Sequence, residues 1–323
     1  MAVTSALVHT SQHIRRLDVR KDLSTVADLI EMCFAETMDA EGRVYLRQLR
    51  RAAREAAWLD WILGEPGMPV ISLSGFVWVE DGTLAGNLSL IPLVRNHRRV
   101  FLIANVAVHP AYRRRGIGRA LTEAALQEIR QMDGPEVWLQ VRQENTSAYQ
   151  LYRSLGFEER ATRSSWVTQP AGRHTVDTSV GGFIIGKRQS EDWYWQQRWL
   201  EVDYPPEVVW NLPLRLANLE PGLMNSLDRW MSGKSVRHWA ARGSNELAGV
   251  LTWESAPGAS DHLWLAARPG LETELVQLLA LRVLNELPRR RLVTLNYPTG
   301  KAEHALHAAG FHFQQVLIWM QAF

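Results

Sequence analysis

The feature that most limits how this chain can fold is a set of motifs that occurs twice in the same order. Ile14 to Asp22 and Ile184 to Asp192 each start apolar and place an Asp, suited to cap a helix, eight residues on. Leu84-Ala85-Gly86 is echoed by Leu247-Ala248-Gly249, and Val108-His109-Pro110 by Ala267-Arg268-Pro269. Ala148 to Phe157 is echoed by Ala302 to Phe311 with identical Ala-x7-Gly-Phe spacing. Four matches in one order predict a duplicated domain; the alternative is two unrelated α/β domains, since Gly-Phe after a helix is common. The 323 residues suit two domains at roughly 100–200 residues each. Residues 169–182, with Pro170, Gly172, Gly181 and Gly182 among small polar residues, read as the linker between domains at 1–168 and 183–323.

Within the first copy, weak alternation over 12–19 predicts a strand. Asp22 is placed to cap a helix over Leu23–Thr37 that turns Val26, Leu29, Ile30 and Cys33 to one side. An arginine-rich helix is expected over about Gly42–Ala57. The apolar runs Val70–Glu80 and Leu84–Pro92 flank the turn dipeptide Asp81-Gly82 and predict a β-hairpin. Arg99–Val108 is a third long strand. A helix over Gly116–Met132 is stopped by Asp133-Gly134-Pro135. A strand over Val137–Arg142, a helix over Ser147–Leu155 and a Gly156 C-cap before another strand complete the copy. This mixed order of strands and helices makes the class α/β.

Composition narrows the function. Apolar residues at 46% and charged residues at 22% are an ordinary globular balance. The longest apolar runs, such as Phe101–Val108, fall far short of the ~20 residues that span a bilayer, so no membrane role is expected. Residues 1–6 carry neither a basic nor an apolar signal-peptide region, and the single Cys33 cannot pair within the chain, so a cytoplasmic protein is expected. A net charge of +2 is too small to argue for a nucleic-acid partner. The 14 Trp, nine of them between Trp193 and Trp319, lack the regular spacing of a stacking platform and read as core and interface. His304, His307 and His312 have no Cys or carboxylate set to complete a metal site, and no metal is expected.

One segment carries chemistry. Val106-Ala107-Val108 ends a strand; His109-Pro110 turns; Arg113-Arg114-Arg115-Gly116-Ile117-Gly118-Arg119 opens a helix. A helix N-terminus presents unpaired N–H groups and partial positive charge, glycine admits a ligand close to the backbone, and arginine adds forked donors. Together they suit a pyrophosphate, although an exposed basic helix start with nothing bound has the same composition. It is neither Gly-x-Gly-x-x-Gly nor a Gly-Lys-Ser/Thr loop. The second copy lacks it: Pro110 to Gly156 spans 46 residues, Pro269 to Gly310 only 41, and Glu272 and Glu274 stand where the basic loop is missing.

Arg113-x-x-Gly116-x-Gly118 resembles the Arg/Gln-x-x-Gly-x-Gly/Ala signature of the GNAT superfamily of acetyl-CoA-dependent N-acetyltransferases. Asn105–Pro110 resembles that family's bulged fourth strand, and Asn145-x-x-Ala148-x-x-x-Tyr152-x-x-x-Gly156-Phe157 its last block. The likeness covers roughly 12–168. Residues 183–323 resemble a degenerate second copy, the two-copy layout of mycothiol synthase and some other tandem acetyltransferases. The resemblance implies two tandem GNAT-like domains, each a mixed, mostly antiparallel sheet flanked by helices. It implies acetyl-CoA as cosubstrate, with its pyrophosphate on the N–H groups of Arg114, Arg115, Gly116, Ile117, Gly118 and Arg119, beside Arg113. Val106, Ala107 and Val108 would line the pantetheine arm, with the Val106 N–H near the thioester carbonyl. Asn145 would orient that arm, or cap its helix. Tyr152 would protonate the departing thiolate; its alternative is a partly buried helix aromatic.

Relatives resembling the ribosomal-protein alanine acetyltransferases carry a base Glu twelve residues before the Tyr; here Gln140 stands there. Glu36, Asp39, Glu41 and Glu144 are the carboxylates that could act through water. A free amine needs little help from a base. The expected function is therefore acetyl transfer to the primary amine of a small-molecule or peptide acceptor. The alternatives are a non-catalytic acyl-CoA-binding or regulatory module, or an interaction module using Arg113–Arg115.

Overall fold

The structure is a computed structural model. It describes residues 12–54, 74–95, 98–132, 136–169, 182–222, 225, 233–244, 246–287 and 291–323. The Asp133-Gly134-Pro135 stop and all of the proposed linker but Gln169 and Gly182 lie outside these. The chain divides into two compact units: Met1–Val141 with Asn145–Arg160 and Trp319–Phe323, and Arg142–Glu144 with Ala161–Ile318.

In the first unit, β1 (Ile14–Arg16), β2 (Ser74–Glu80), β3 (Thr83–Arg95) and β4 (Arg98–Val108) pair antiparallel in that order, and β5 (Glu136–Arg142) lies parallel to β4. Asp81 and Gly82, at φ of 50° and 76°, make the tight hairpin turn that their dipeptide predicts. Helices α1 (Val19–Phe34) and α2 (Ala40–Arg54) pack Leu23, Val26, Ile30, Leu46 and Leu49 onto Val77 and Ala107 of the sheet. The cap of α1 is one turn earlier than the sequence suggests. Asp18 accepts from the Arg20 N–H, while Asp22 is buried inside the first turn, taking the Asp18 N–H and two bonds from Arg15. An Arg fifteen residues into the chain satisfies a carboxylate that local pattern alone assigns to the helix end.

Helix α3 (Ile117–Arg130) lies across β2–β4, with Ile117, Leu121, Ala125 and Ile129 buried. Helix α4 (Thr146–Ser154) ends in the left-handed Gly156, and the Phe157 N–H closes back on the Tyr152 carbonyl at 3.1 Å. Trp319 meets Trp138 edge to face at 6.5 Å between ring centres.

The second unit repeats the scheme. β7 (Phe183–Lys187), β8 (Val236–Gly243), β9 (Glu246–Glu254) and β10 (Ser260–Ala267) are antiparallel. β11 (Leu292–Pro298) is parallel to β10, and residues 163–168 of β6 (Glu158–Thr168) pair antiparallel with β11. Its helices include α5 (Trp193–Asp203), α6 (Pro206–Val209), α7 (Leu216–Leu219), α8 (Glu272–Glu286) and α9 (Glu303–Ala308); β12 (His312–Ala322) is last. The repeated motifs make matching bonds. The His109 N–H donates to Ala85 O at 2.9 Å and that of Arg268 to Ala248 O at 2.8 Å; that of Phe311 donates to Leu306 O at 3.0 Å. Tryptophans fill both cores, and indole N–H groups find carboxylates: Trp138 on Glu136, Trp239 on Glu286, Trp264 on Glu254. Among the described residues no helix is long and apolar enough to cross a membrane.

Candidate functional site

The site begins with an irregularity in β4. Ala104 faces Ser89 and Ala107 faces Asn87, so Asn105 and Val106 together oppose the single residue Leu88. Asn105 takes the strain of this bulge at φ of 51°, a left-handed conformation that Asn tolerates better than most residues. The parallel pairing of β4 with β5 runs from Val100–Glu136 to Ile103–Leu139 and stops where the bulge begins. Val106, Ala107 and Val108 therefore have β3 on one side and no β5 partner on the other. The Val108 carbonyl is already engaged, accepting from Arg113 Nε at 3.2 Å and Cys33 Sγ at 3.3 Å.

After β4, a single 3-10 turn (Pro110–Tyr112) leads to Arg114 and Gly116, left-handed at φ of 65° and 81°. Helix α3 then starts at Ile117 with no side chain capping it, and its first internal bond is Ala120 N–H to Gly116 O. The N–H groups of Ile117, Gly118 and Arg119 are left without helical partners. A Cβ on Gly118 would lie 3.8 Å from Val108 Cγ2 and 3.6 Å from Leu151 Cδ2, so this glycine stands between the open strand and α4. Arg119 bonds Ser154 Oγ at 2.6 Å, which ties the helix start to the end of α4. Arg115 is held by Glu80 at 2.5 Å and lies over the Tyr112 ring. Arg114 is exposed with no partner among the described residues.

Tyr152 on α4 has a buried ring set edge to face on Phe157. Burial pushes its phenol well above the ordinary tyrosine value, and no described residue hydrogen-bonds its hydroxyl. The phenol therefore keeps its proton at neutral pH. Asn145 caps α4, its Oδ1 accepting from the Ala148 N–H at 3.2 Å. Gln140 is exposed on β5. Of the four candidate carboxylates, Asp39 accepts the Gly42 N–H at 2.7 Å, Glu144 lies 3.7 Å from Arg142, Glu36 sits exposed in a 3-10 turn, and Glu41 opens α2.

The second unit differs at each of these points. β9 and β10 pair without interruption from Glu254–His262 to Gly249–Ala267, so there is no bulge. The N–H of Gly270, just ahead of α8, is taken by Glu272 Oε2 at 2.8 Å. Lys301 bridges Asp203 at 2.8 Å and Glu272 at 3.7 Å. Leu306 replaces the tyrosine at the position matching Tyr152.

Residues 33–157, the stretch that holds the bulge, the helix start and Tyr152, match the acetyltransferase (GNAT) family. They form a GNAT domain. The chain is 42% identical over 98 residues to a [ribosomal protein bS18]-alanine N-acetyltransferase of Escherichia coli strain K12, a match covering 30% of this chain and 64% of that protein. It is 39% identical over 84 residues to the N-alpha-acetyltransferase RimI of Mycobacterium tuberculosis, covering 26% and 51%. The chain thus spans about half to two thirds of these relatives' lengths. A GCN5-related N-acetyltransferase from Sphaerobacter thermophilus shares the fold at 16% identity and a TM-score of 0.57, over 95% of each chain. A tandem GNAT protein from the clavulanic acid biosynthesis pathway does so at 18% and 0.50, over 96% of this chain and 97% of that one. The chain is α/β, with a mostly antiparallel sheet flanked by helices in each unit.

Sequence patterns miss Tyr45 and Asn87, which meet at the bulge, and the side-chain contacts of Asn105, which the resemblance places in the bulged strand. The available signal is faint. Asn87 and Ser89 are polar residues inside the apolar run Leu84–Pro92, and both are buried.

Proposed function

We propose that the first unit is an acetyl-CoA-dependent N-acetyltransferase acting on a primary amine. One observation carries this reading: the open strand edge at Val106–Val108 lies beside an uncapped helix start, with Gly118 between Val108 and Leu151. The donor set fits the cosubstrate. N–H groups from Arg114 to Arg119, reinforced by the unpartnered Arg114 side chain and by Arg113, suit a pyrophosphate. The free β4 edge suits amides of an extended arm, and Asn145, at the N-terminus of α4, would orient that arm. When bound, acetyl-CoA supplies an acetyl group activated as a thioester.

The chain's own residues then have separate tasks. The Val106 N–H stabilises negative charge that develops on the acetyl oxygen. Tyr152, kept protonated by burial, donates its phenol proton to the sulfur as the C–S bond breaks. The acceptor amine attacks in its neutral form, and the proton its nitrogen sheds on becoming an amide restores the Tyr152 phenol through solvent, so the Gln140 position requires no base. Peptide α-amino groups are the first acceptors to test, because the relatives are named for them, followed by small amines. The second unit serves as scaffold: Glu272 occupies the loop N–H that a pyrophosphate would need and repels it. A cytoplasmic setting accords with the lone free Cys33.

Titration calorimetry with acetyl-CoA on the wild type and Gly118→Glu tests the reading. The wild type should bind and be stabilised by roughly 2.7 kcal/mol at ~100 times Kd. A Cβ at Gly118 meets only ordinary contacts, and Gly118→Glu, which sets a carboxylate in the proposed anion site, should lose binding. No binding by the wild type refutes the proposal. Binding without turnover of any amine favours the second reading, an acyl-CoA-binding module, for which the exposed Gln140 speaks.

A further inference from the structure

A buried cluster of uncharged polar side chains holds the β4 bulge, and the chemistry above makes no use of it. Asn87 on β3 is fully buried, and its Nδ2 donates to the Asn105 carbonyl at 2.9 Å. Asn105 Nδ2 in turn donates to Tyr45 Oη on α2 at 2.9 Å. Ser89 Oγ lies 3.4 Å from both amide nitrogens. Asn87 Oδ1 is buried and has no hydrogen-bond partner among the described residues. Turning that amide over gains nothing, because the oxygen would then face the Asn105 carbonyl. A buried, unpaired amide oxygen is costly, so the bond from Asn87 to the bulge is kept against a penalty.

The consequence follows from peptide geometry. The Asn105 carbonyl and the Val106 N–H belong to one trans peptide, which points them in opposite directions. Asn87 holds the carbonyl to its own side, so the Val106 N–H points away from Asn87. Tyr45 is the second consequence. It accepts from Asn105, its own phenol proton has no acceptor among the described residues, and burial keeps that proton on. Its hydroxyl touches the side chain immediately preceding Val106.

We propose that Asn87, Asn105 and Tyr45 are positioning residues for acetyl transfer: Asn87 and Asn105 aim the Val106 N–H at the reacting carbonyl, and Tyr45 orients the acceptor through its free proton. The inference rests on the acetyltransferase reading. One hydrogen bond ties Tyr45 of α2 to Asn105 and a second ties Asn87 to the Asn105 carbonyl, so acceptor placement and charge stabilisation would be set by one connected group.

The test is steady-state kinetics with a peptide or small-amine acceptor, alongside calorimetry of acetyl-CoA, for Tyr45→Phe, Asn105→Gly and Asn87→Ser. Asn105→Gly keeps the left-handed backbone accessible and removes only the amide. Tyr45→Phe should raise the acceptor KM about tenfold while kcat stays within about threefold. Asn87→Ser should lower kcat by about 10- to 100-fold. Asn105→Gly should show both effects, and adding Tyr45→Phe to it should change KM little further. Acetyl-CoA affinity should stay within about threefold of the wild type in every folded variant. Wild-type KM and kcat in Tyr45→Phe and Asn105→Gly overturn this inference and leave acetyl transfer standing, as does loss of acetyl-CoA affinity in a folded Tyr45→Phe. A wild type that neither binds acetyl-CoA nor acetylates any amine overturns both.

Discussion

Gly86 and Gly249 are matched positions in the two units, and a methyl group added to each separates the cofactor proposal from mere stability. A Cβ at Gly86 would stand 2.8 Å from Ile117 Cγ2, 3.0 Å from Leu121 Cδ1 and 3.2 Å from Trp78 Cβ. Carbon atoms in contact prefer about 3.5–4.0 Å, so α3 must shift by roughly half an ångström to an ångström at its first turn. That turn carries the N–H groups assigned to pyrophosphate. A Cβ at Gly249 would stand 2.9 Å from Leu275 Cδ1 and 3.0 Å from Ala266 O, pressing on α8, which has no such task. Overpacking of this kind costs about 1–3 kcal/mol. Both Gly86→Ala and Gly249→Ala should therefore lower Tm, by about 2–4 °C per kcal/mol for a unit of this size. Only Gly86→Ala should also weaken acetyl-CoA binding, by about tenfold for ~1.4 kcal/mol of lost anion contact. Thermal unfolding and titration calorimetry on the two variants decide it. Equal losses of acetyl-CoA affinity, or wild-type affinity in a destabilised Gly86→Ala, refute the placement of the site.

Three further outcomes follow from the same geometry. Tyr152→Phe should lower kcat by about 10- to 100-fold with acetyl-CoA affinity and Tm nearly unchanged, since no described residue bonds that hydroxyl; wild-type kcat would remove Tyr152 from the mechanism. Burial raises Tyr152, Tyr204 and Tyr297 above the ordinary phenol value. Stability from these groups is fully present below about pH 10, where the unfolded phenols stay neutral, and is lost as pH climbs toward the folded values. Alkaline unfolding curves on Tyr204→Phe should show a shallower fall. Burial alone would raise Asp22, but Arg15 and the Asp18 N–H outweigh it and hold the carboxyl below its usual range. Its stabilisation is present above about pH 4 and disappears as pH drops through the folded value. Asp22→Ala should cost about 1–2 kcal/mol at neutral pH and flatten the acid limb of the stability profile.

Much of the GNAT domain is legible in the chain because its signals are local. Asp81-Gly82 dictates a hairpin turn, Gly116 permits a left-handed helix entry, and Gly156-Phe157 closes α4, each through a few neighbouring dihedrals. The same locality explains the errors. Asp22 has the composition of a cap, yet Asp18 takes that place, because Arg15 on β1 supplies the partner that draws Asp22 inward. Tyr152 is readable as a tyrosine at a set spacing, but its lone, buried hydroxyl is a product of packing against Phe157.

What the sequence by itself determined is the duplicated α/β plan, the basic glycine turn present in one copy and missing from the other, and the tyrosine that only the first copy retains. Tertiary structure decided the rest. Tyr45, Asn87 and Asn105 are far apart in the chain and carry no shared pattern; only strand pairing and helix packing bring them together. The bulge itself depends on the register of β3 against β4, which one residue of slip would erase. Trp319–Phe323 joins the first unit and Ala161–Thr168 the second for the same reason. Strand partners are chosen by long-range backbone hydrogen bonds, and those are invisible to any reading of neighbours along the chain.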